Sequence, residues 1–452
     1  MIELVYDRGT VLLKGYNGGI FPPGMLRYDH RVNGYRCLAY KYYSIVKYLK
    51  HRGIKFRDYV LDLGYCTIRR IRDFNLRGYQ REALSSWLKN GCRGVIVLPT
   101  GTGKTRVALA AIGEILKPTL VVVPTIELME QWRRAILRYF KASIGFYGGG
   151  RKEIKCITIA TYDSAYINAE ILGNRFMLAI FDEVHHLPSP GYRQIAELLA
   201  APLRMGLTAT PEREDQAHLD LNYLVGPIVY RRKVVEFSGK YLADFDVVTV
   251  RVKLSDVERM LYEEYMGKFR KYVESRGIKF KSIEDFRKII LESGLDVEAR
   301  EALLAWHEAR KIAFNAEGKI EALREILSKH RGDKIIIFTD NNEIVRRISR
   351  EFLIPEITHK TSDKERRMVM EAFRRGALKT IVTSRVLEEG IDVPDASVAV
   401  ILSGTGSRRE FIQRLGRILR PKGGKRAVLY EVVTSKTKEV STARRRKKEA
   451  LG

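Results

Sequence analysis

Leu98-Pro-Thr-Gly-Thr-Gly-Lys-Thr105 carries the residue types of a loop that cradles phosphates. Gly101 and Gly103 allow backbone N–H groups to approach a phosphate closely, with Thr100 and Thr102 beside them. Lys104 supplies a point charge for the β- and γ-phosphates, and the Thr105 hydroxyl suits Mg²⁺. Leu98 stands where the simplest form of this pattern has glycine; the second half, Gly-Thr-Gly-Lys-Thr, is intact. Further on, Asp182 can hold Mg²⁺ through water, and Glu183 can orient and deprotonate an attacking water. Far downstream, Gln413-Arg-Leu-Gly-Arg-Ile-Leu-Arg420 places Arg417 and Arg420 at i and i+3 on one face of a short helix. Two guanidiniums so placed can stabilise charge developing on a γ-phosphate, with Gln413 completing the site. A nucleoside triphosphate gripped by both stretches would lie between two separately folded lobes, and its hydrolysis would open and close the cleft.

These groups need elements to hold them. Between about 73 and 236, short apolar runs at 94–98, 120–124, 156–161, 177–181 and 205–208 alternate with amphipathic stretches at 106–116 and 127–139. That alternation predicts a parallel sheet covered on both faces. The phosphate loop follows the first run and opens the first helix, as such a loop requires. The run 177–181 delivers Asp182 at a strand C-terminus, where α/β sheets place ligands. Upstream, Leu76-Arg77-Gly-Tyr-Gln80 offers a side-chain amide able to pair with the donor/acceptor edge of adenine. In Leu207-Thr-Ala-Thr-Pro211, the Thr208 and Thr210 hydroxyls can link the nucleotide site to a bound strand.

Residues 237–310 break the rhythm: Val257, Leu261, Tyr265 and Phe269 recur every four positions on a charged background, which predicts a surface helix followed by further helical segments. The α/β pattern resumes at 334–338, 380–383, 398–402 and 428–432, led in by a helix at 320–328. Residues 1–72 form a separate module, with strands at 1–6 and 10–16 around Asp7-Arg8-Gly9 and a helix at 40–52. This module holds 10 of the 23 tyrosines and 14 Lys/Arg against 5 Asp/Glu. Rings interleaved with cations suit base stacking on nucleic acid, and equally an ordinary small core. The run Ala443-Arg-Arg-Arg-Lys-Lys448 reads as a solvated tail.

A net charge of +27 over 452 residues argues for a polyanionic partner, because surplus cations neutralise phosphates and release counterions. No apolar run approaches the roughly 20 residues that span a bilayer, so a soluble, cytoplasmic chain is expected. Cys37, Cys66, Cys92 and Cys156 have no paired spacing and read as reduced structural thiols, not as metal ligands. Scarce glutamine beside abundant Lys, Arg and Glu fits a hot-adapted protein.

Taken in order, these residues resemble superfamily 2 helicases from Leu76 to about Val433. Arg77 and Gln80 match the adenine-reading motif, and 101–105 match motif I. Residues 124–132, with Thr125, match the motif Ia that touches a nucleic-acid backbone; 182–185 match motif II, and Thr208 with Thr210 motif III. Residues 335–340 look like motif IV, 389–394 with Gly390 and Asp392 like motif V, and 413–420 like motif VI. Within the superfamily the chain resembles the archaeal XPB-type DNA repair and transcription helicases, since Arg213-Glu214-Asp215 directly after motif III matches a motif implicated in unwinding. The short flanks also resemble the archaeal form. The resemblance implies two RecA-like lobes at 73–236 and 311–452, a damage-recognition-like domain at 1–72 and a thumb-like insertion at 237–310. It further implies ATP- and Mg²⁺-dependent 3′→5′ movement on DNA in nucleotide excision repair, with a nuclease partner. An RNA helicase, and a DNA-binding platform that recruits a nuclease and uses ATP only as a switch, remain as alternatives.

Overall fold

Apolar runs of about five residues, bounded by turns, are too short for helices and bury completely as central strands. The computed structural model describes residues 1–451 apart from 17, 20, 23, 214, 238–244, 280–282, 385–395 and 404–426, and only the backbone of 234–235, 283–284, 363 and 445–451. The described chain forms two compact units, one from Met1 to Glu236 and one from Phe237 onward.

The first unit begins with a five-stranded sheet built from β1 (Ile2–Asp7), β2 (Thr10–Lys14), β3 (Arg27–Asp29), β4 (Gly34–Leu38) and β5 (Phe56–Tyr59), in the order β3-β4-β2-β1-β5. The turn between β1 and β2 places both Arg8 and Gly9 at positive φ, the twist that a tight hairpin needs. Helix α1 (Tyr42–His51) buries Tyr42, Ile45 and Leu49 against this sheet. Tyrosine is divided between roles here: Tyr16 and Tyr42 are core, whereas Tyr28, Tyr59 and Tyr65 are exposed.

The same unit continues through α2 (Gly78–Lys89), β6 (Arg93–Val97), α3 (Lys104–Ile115), β7 (Thr119–Val123), α4 (Ile126–Tyr139), β8 (Ile144–Gly148), β9 (Arg151–Lys152), β10 (Ile157–Thr161), β11 (Leu178–Asp182), β12 (Leu203–Thr208) and β13 (Ile228–Arg231). They build an eight-stranded sheet in the order β9-β8-β10-β7-β11-β12-β6-β13. Every pairing is parallel except the edge pair β8–β9. Every residue of β7, β10 and β11 is buried, which is why they read as mainly apolar runs, with Thr158 the one interior interruption.

The N-terminal module packs onto this sheet domain. The Tyr6 hydroxyl donates to the carbonyls of Glu170 (3.0 Å) and Leu198 (3.1 Å), the Asp62 N–H donates to the Asn174 carbonyl at 2.9 Å, and Asn174 Nδ2 donates to the Val60 carbonyl at 3.1 Å. Arg175 pairs with Asp62, and the Arg93 guanidinium lies 5.1 Å from the centre of the Tyr43 ring. Cys66 and Cys156 form a disulfide, which corrects the expectation that all four cysteines are reduced. Their Cα atoms lie 5.3 Å apart although 90 residues separate them, so spacing along the chain held no signal of the bond. The bridge ties the segment between module and sheet to the residue before β10. Cys37 and Cys92 are free thiols; burial pushes the Cys37 thiol up to about 12.

The second unit opens with β14 (Phe245–Val252), a strand where the sequence suggested only helix. It alternates apolar and polar residues only over Val248–Val252, and its edge position leaves most of the strand half-buried or exposed. Helices α5 (Asp256–Ser275), α6 (Ile283–Glu292) and α7 (Val297–Asn315) follow as expected, and α5 starts on a capping box of Ser255 and Glu258. Next come α8 (Glu317–Lys329), β15 (Ile335–Phe338), α9 (Asn342–Phe352), β16 (Glu356–Ile357), α10 (Asp363–Arg375), β17 (Thr380–Thr383), β18 (Val398–Ile401), β19 (Ala427–Thr434) and α11 (Lys438–Leu451). The sheet is parallel, ordered β14-β19-β18-β15-β17-β16.

Helix α11 corrects the reading of 443–448 as an unstructured tail. It is pinned by Lys319, which is 2% exposed and whose ammonium donates to Glu439 Oε1 (2.7 Å), Glu439 Oε2 (2.8 Å) and the Leu402 carbonyl (2.6 Å). Removing one partner strands a buried charge. Lys319→Met is therefore expected to cost about 3–5 kcal/mol, read as an earlier denaturant transition of the second unit. A melting profile indistinguishable from wild type contradicts this.

Candidate functional site

The candidate site residues of the first unit assemble at the C-terminal end of its parallel sheet. Leu98 N–H donates to the Thr208 carbonyl at 3.0 Å, joining the start of the phosphate loop to the end of β12. Gly101 and Gly103 both adopt left-handed backbone, with φ of +83° and +84°. A Cβ on Gly103 would lie 2.7 Å from Gln80 Nε2, so only glycine fits there. The Thr102 hydroxyl donates to the Pro99 carbonyl at 2.7 Å, and the Thr102 carbonyl accepts from Gln80 Nε2 (2.9 Å) and the Tyr79 hydroxyl (2.6 Å). Gln80 Oε1 in turn accepts the Arg77 N–H at 2.9 Å. Gln80 therefore sits buried beneath the loop and braces it, and each end of its amide keeps one further hydrogen-bonding position. The loop opens α3, whose N-terminal dipole favours phosphate. Lys104 is nearly buried, its ammonium resting on the Leu98 carbonyl at 3.3 Å, and Thr105 lies half-buried in the first helical turn.

Asp182 ends β11 and is buried. Its Oδ2 accepts the Trp132 indole N–H at 2.8 Å and its Oδ1 accepts the Glu183 N–H at 3.1 Å. Burial and then the neighbouring Glu183 charge push the Asp182 carboxyl above the usual range, opposed by the Trp132 hydrogen bond and by Lys104. Glu183 holds a left-handed backbone at φ +48°, a strained setting for a residue with a Cβ. Its Oε2 is buried without a hydrogen bond; His185 Nδ1 lies 3.5 Å away but is engaged by Thr208 Oγ1 at 3.1 Å. The hydroxyls of Thr100 and Thr210 are buried and likewise without hydrogen-bond partners. Orphaned buried oxygens are costly, and three of them stand on the loops at one end of one sheet. Phosphate oxygens can accept from the Thr100 and Thr210 hydroxyls, and water on Mg²⁺ or a lone water can donate to Glu183 Oε2, so the residues fit MgATP. Lys104 and the loop amides would hold the phosphates, with Thr105 and Asp182 holding the metal.

Three family models match the chain. Residues 4–60 match the Xeroderma pigmentosum group B helicase damage recognition domain, 73–213 the res subunit of type III restriction enzymes, and 315–450 the ERCC3/RAD25/XPB C-terminal helicase. The chain is 46% identical over 448 residues to a DNA 3′-5′ translocase XPB2 of Sulfurisphaera tokodaii, covering 99% of this chain and 100% of that one. The chain belongs to the XPB family of superfamily 2 helicases. A DNA 3′-5′ helicase XPB of Mycobacterium tuberculosis is 35% identical over 83% of this chain. A transcription and DNA repair factor IIH subunit XPB/SSL2 of Saccharomyces cerevisiae is 29% identical over 90% of it. This chain spans 63% and 46% of the lengths of those two proteins. In structure, the Hef helicase domain of Pyrococcus furiosus matches 81% of this chain and 97% of its own with a TM-score of 0.53 at 19% identity, which supports the two-sheet helicase fold.

In this XPB-family chain, motifs II and III are joined by hydrogen bonds. Thr208 Oγ1 contacts His185 and donates to the Thr210 carbonyl at 3.1 Å. Arg213 belongs to the same network. It donates to the His185 carbonyl at 2.9 Å while Asp215 clamps it with two bonds of 2.9 and 2.7 Å. That clamp holds the Asp215 carboxyl well below the usual carboxylate range. The Thr125 hydroxyl caps α4 through the Leu128 N–H at 3.3 Å. In the second unit, motif IV ends where Thr339 Oγ1 and Ser403 Oγ meet at 2.7 Å. Glu214, Gly390, Asp392, Gln413, Arg417 and Arg420 lie outside the described residues. Sequence reasoning missed Trp132, Tyr79 and Tyr162, whose hydroxyl donates to the Asp182 carbonyl at 3.0 Å. Trp132 stood inside the motif Ia string, but nothing local marked its partner 50 residues away.

Proposed function

We propose that this chain is an ATP-driven DNA translocase and helicase acting in DNA repair of the nucleotide excision type. The observation that carries the reading is the convergence of Lys104, Asp182 and the orphaned Glu183 oxygen at one sheet end. Lys104 draws the β- and γ-phosphates into the loop, and Glu183 Oε2, free of hydrogen bonds, takes the proton of the attacking water. Bound Mg²⁺ would neutralise phosphate charge. Arg417 and Arg420 complete the site from the second lobe, so that turnover drives lobe closure and DNA movement. The XPB family names support DNA over RNA and a 3′→5′ direction. The net charge of +27 supports binding to a polyanion. Residues 1–72 then act as the damage-reading domain, 73–236 and 311–452 as the two motor lobes and 237–310 as the thumb-like insertion, with a nuclease as partner protein. Among the described residues no helix is long and apolar enough to cross a membrane.

The test is ATP turnover on blunt, forked and bubble DNA and on RNA of equal length. Duplex or forked DNA is expected to stimulate turnover above RNA, and Lys104→Ala to lower it on the order of 10²–10³-fold or more. Stimulation by RNA alone, or full turnover in the variant, refutes the proposal.

A further inference from the structure

We infer that the Trp132 indole is a positioning residue for the metal-binding carboxylate, an inference that rests on the nucleotide-site reading above. Trp132 is 1% exposed on α4, and Asp182 is 7% exposed at the end of β11. An indole nitrogen donates one hydrogen and accepts none, so the 2.8 Å contact to Asp182 Oδ2 has one assignment. The acceptor is a carboxylate, which makes the bond charge-assisted. With Oδ1 held by the Glu183 N–H at 3.1 Å, two donors from different parts of the chain fix the plane of the carboxyl group. The lone pairs they leave are the ones available to hydrated Mg²⁺. A tryptophan buried only for its bulk would be replaceable by any ring of similar size; this one also supplies a proton that no phenylalanine can.

The probe is a fluorescent non-hydrolysable ATP analogue titrated with Mg²⁺ on the full chain. Trp132→Phe keeps most of the apolar volume and removes the N–H. It is expected to bind the analogue without Mg²⁺ as wild type does, and to need roughly 10-fold more Mg²⁺ for half-saturation, the scale of lost outer-shell partners. Wild-type Mg²⁺ dependence in Trp132→Phe overturns the inference. Absence of any Mg²⁺-dependent binding in the wild-type chain overturns instead the nucleotide-site reading. If the variant does not fold, the indole N–H resonances of the wild-type nucleotide complex decide, since the chain has only 3 tryptophans. Mg²⁺ is expected to move the Trp132 resonance and leave that of Trp306 in place; an unmoved Trp132 signal contradicts the role.

Discussion

Arg417→Ala should bind MgATP within a few-fold of wild type yet hydrolyse it on the order of 10³–10⁵-fold more slowly. The asymmetry follows from when the guanidinium acts. Charge on the γ-phosphate oxygens and the leaving oxygen grows only as the bond to the leaving group stretches, so a finger arriving from the second lobe contributes little to ground-state binding. Arg420 follows Arg417 by three residues, the spacing from which one shared helix face is expected, so Arg420→Ala should behave likewise. Single-turnover hydrolysis with saturating DNA separates the chemical step from product release. A loss below tenfold, or a matching loss of nucleotide affinity, would remove these arginines from the catalytic role.

Glu183→Gln is expected to lower the hydrolysis rate by about 10²–10⁴ while MgATP still binds. The substitution keeps shape and volume, so a fall in rate reports the lost base. Asp182 and Glu183 are adjacent carboxylates near the same buried position, and the Glu183 charge helps push the Asp182 carboxyl up. Neutralising Glu183 removes that repulsion, so the unligated variant should melt at or slightly above the wild-type temperature. Loss of activity joined to a lower melting temperature would indicate a structural role instead. The left-handed backbone at Glu183 points the same way as this trade, since strain of that kind is kept where it serves a site.

What the sequence made visible was local. The phosphate loop lies within eight consecutive residues, and its strand and helix flank it directly, so Lys104 and Thr105 could be placed from spacing alone. The fully buried strands β7, β10 and β11 announced themselves as apolar runs. The contacts that refine the site were hidden because sheet order creates them. Gln80 reaches Thr102 across 22 residues, Trp132 reaches Asp182 across 50, and Lys319 reaches Glu439 across 120. Gln80 was read only as a possible adenine reader, since its bracing of the loop requires α2 to pack beneath Gly103. The disulfide was missed for the same reason. Strand β14 escaped because it lies at a sheet edge, and α11 because its charged residues 443–448 masked the anchor at Glu439.

One measurement bears on the whole account: the distance between a dye on each unit, followed by energy transfer as DNA and a transition-state mimic of ATP are added. The motor reading predicts that wild type shortens this distance only with both present, and that Arg417→Ala fails to do so. Equal distances in all states, or the same shortening in the arginine variant, would contradict the claim that one nucleotide is grasped from both lobes.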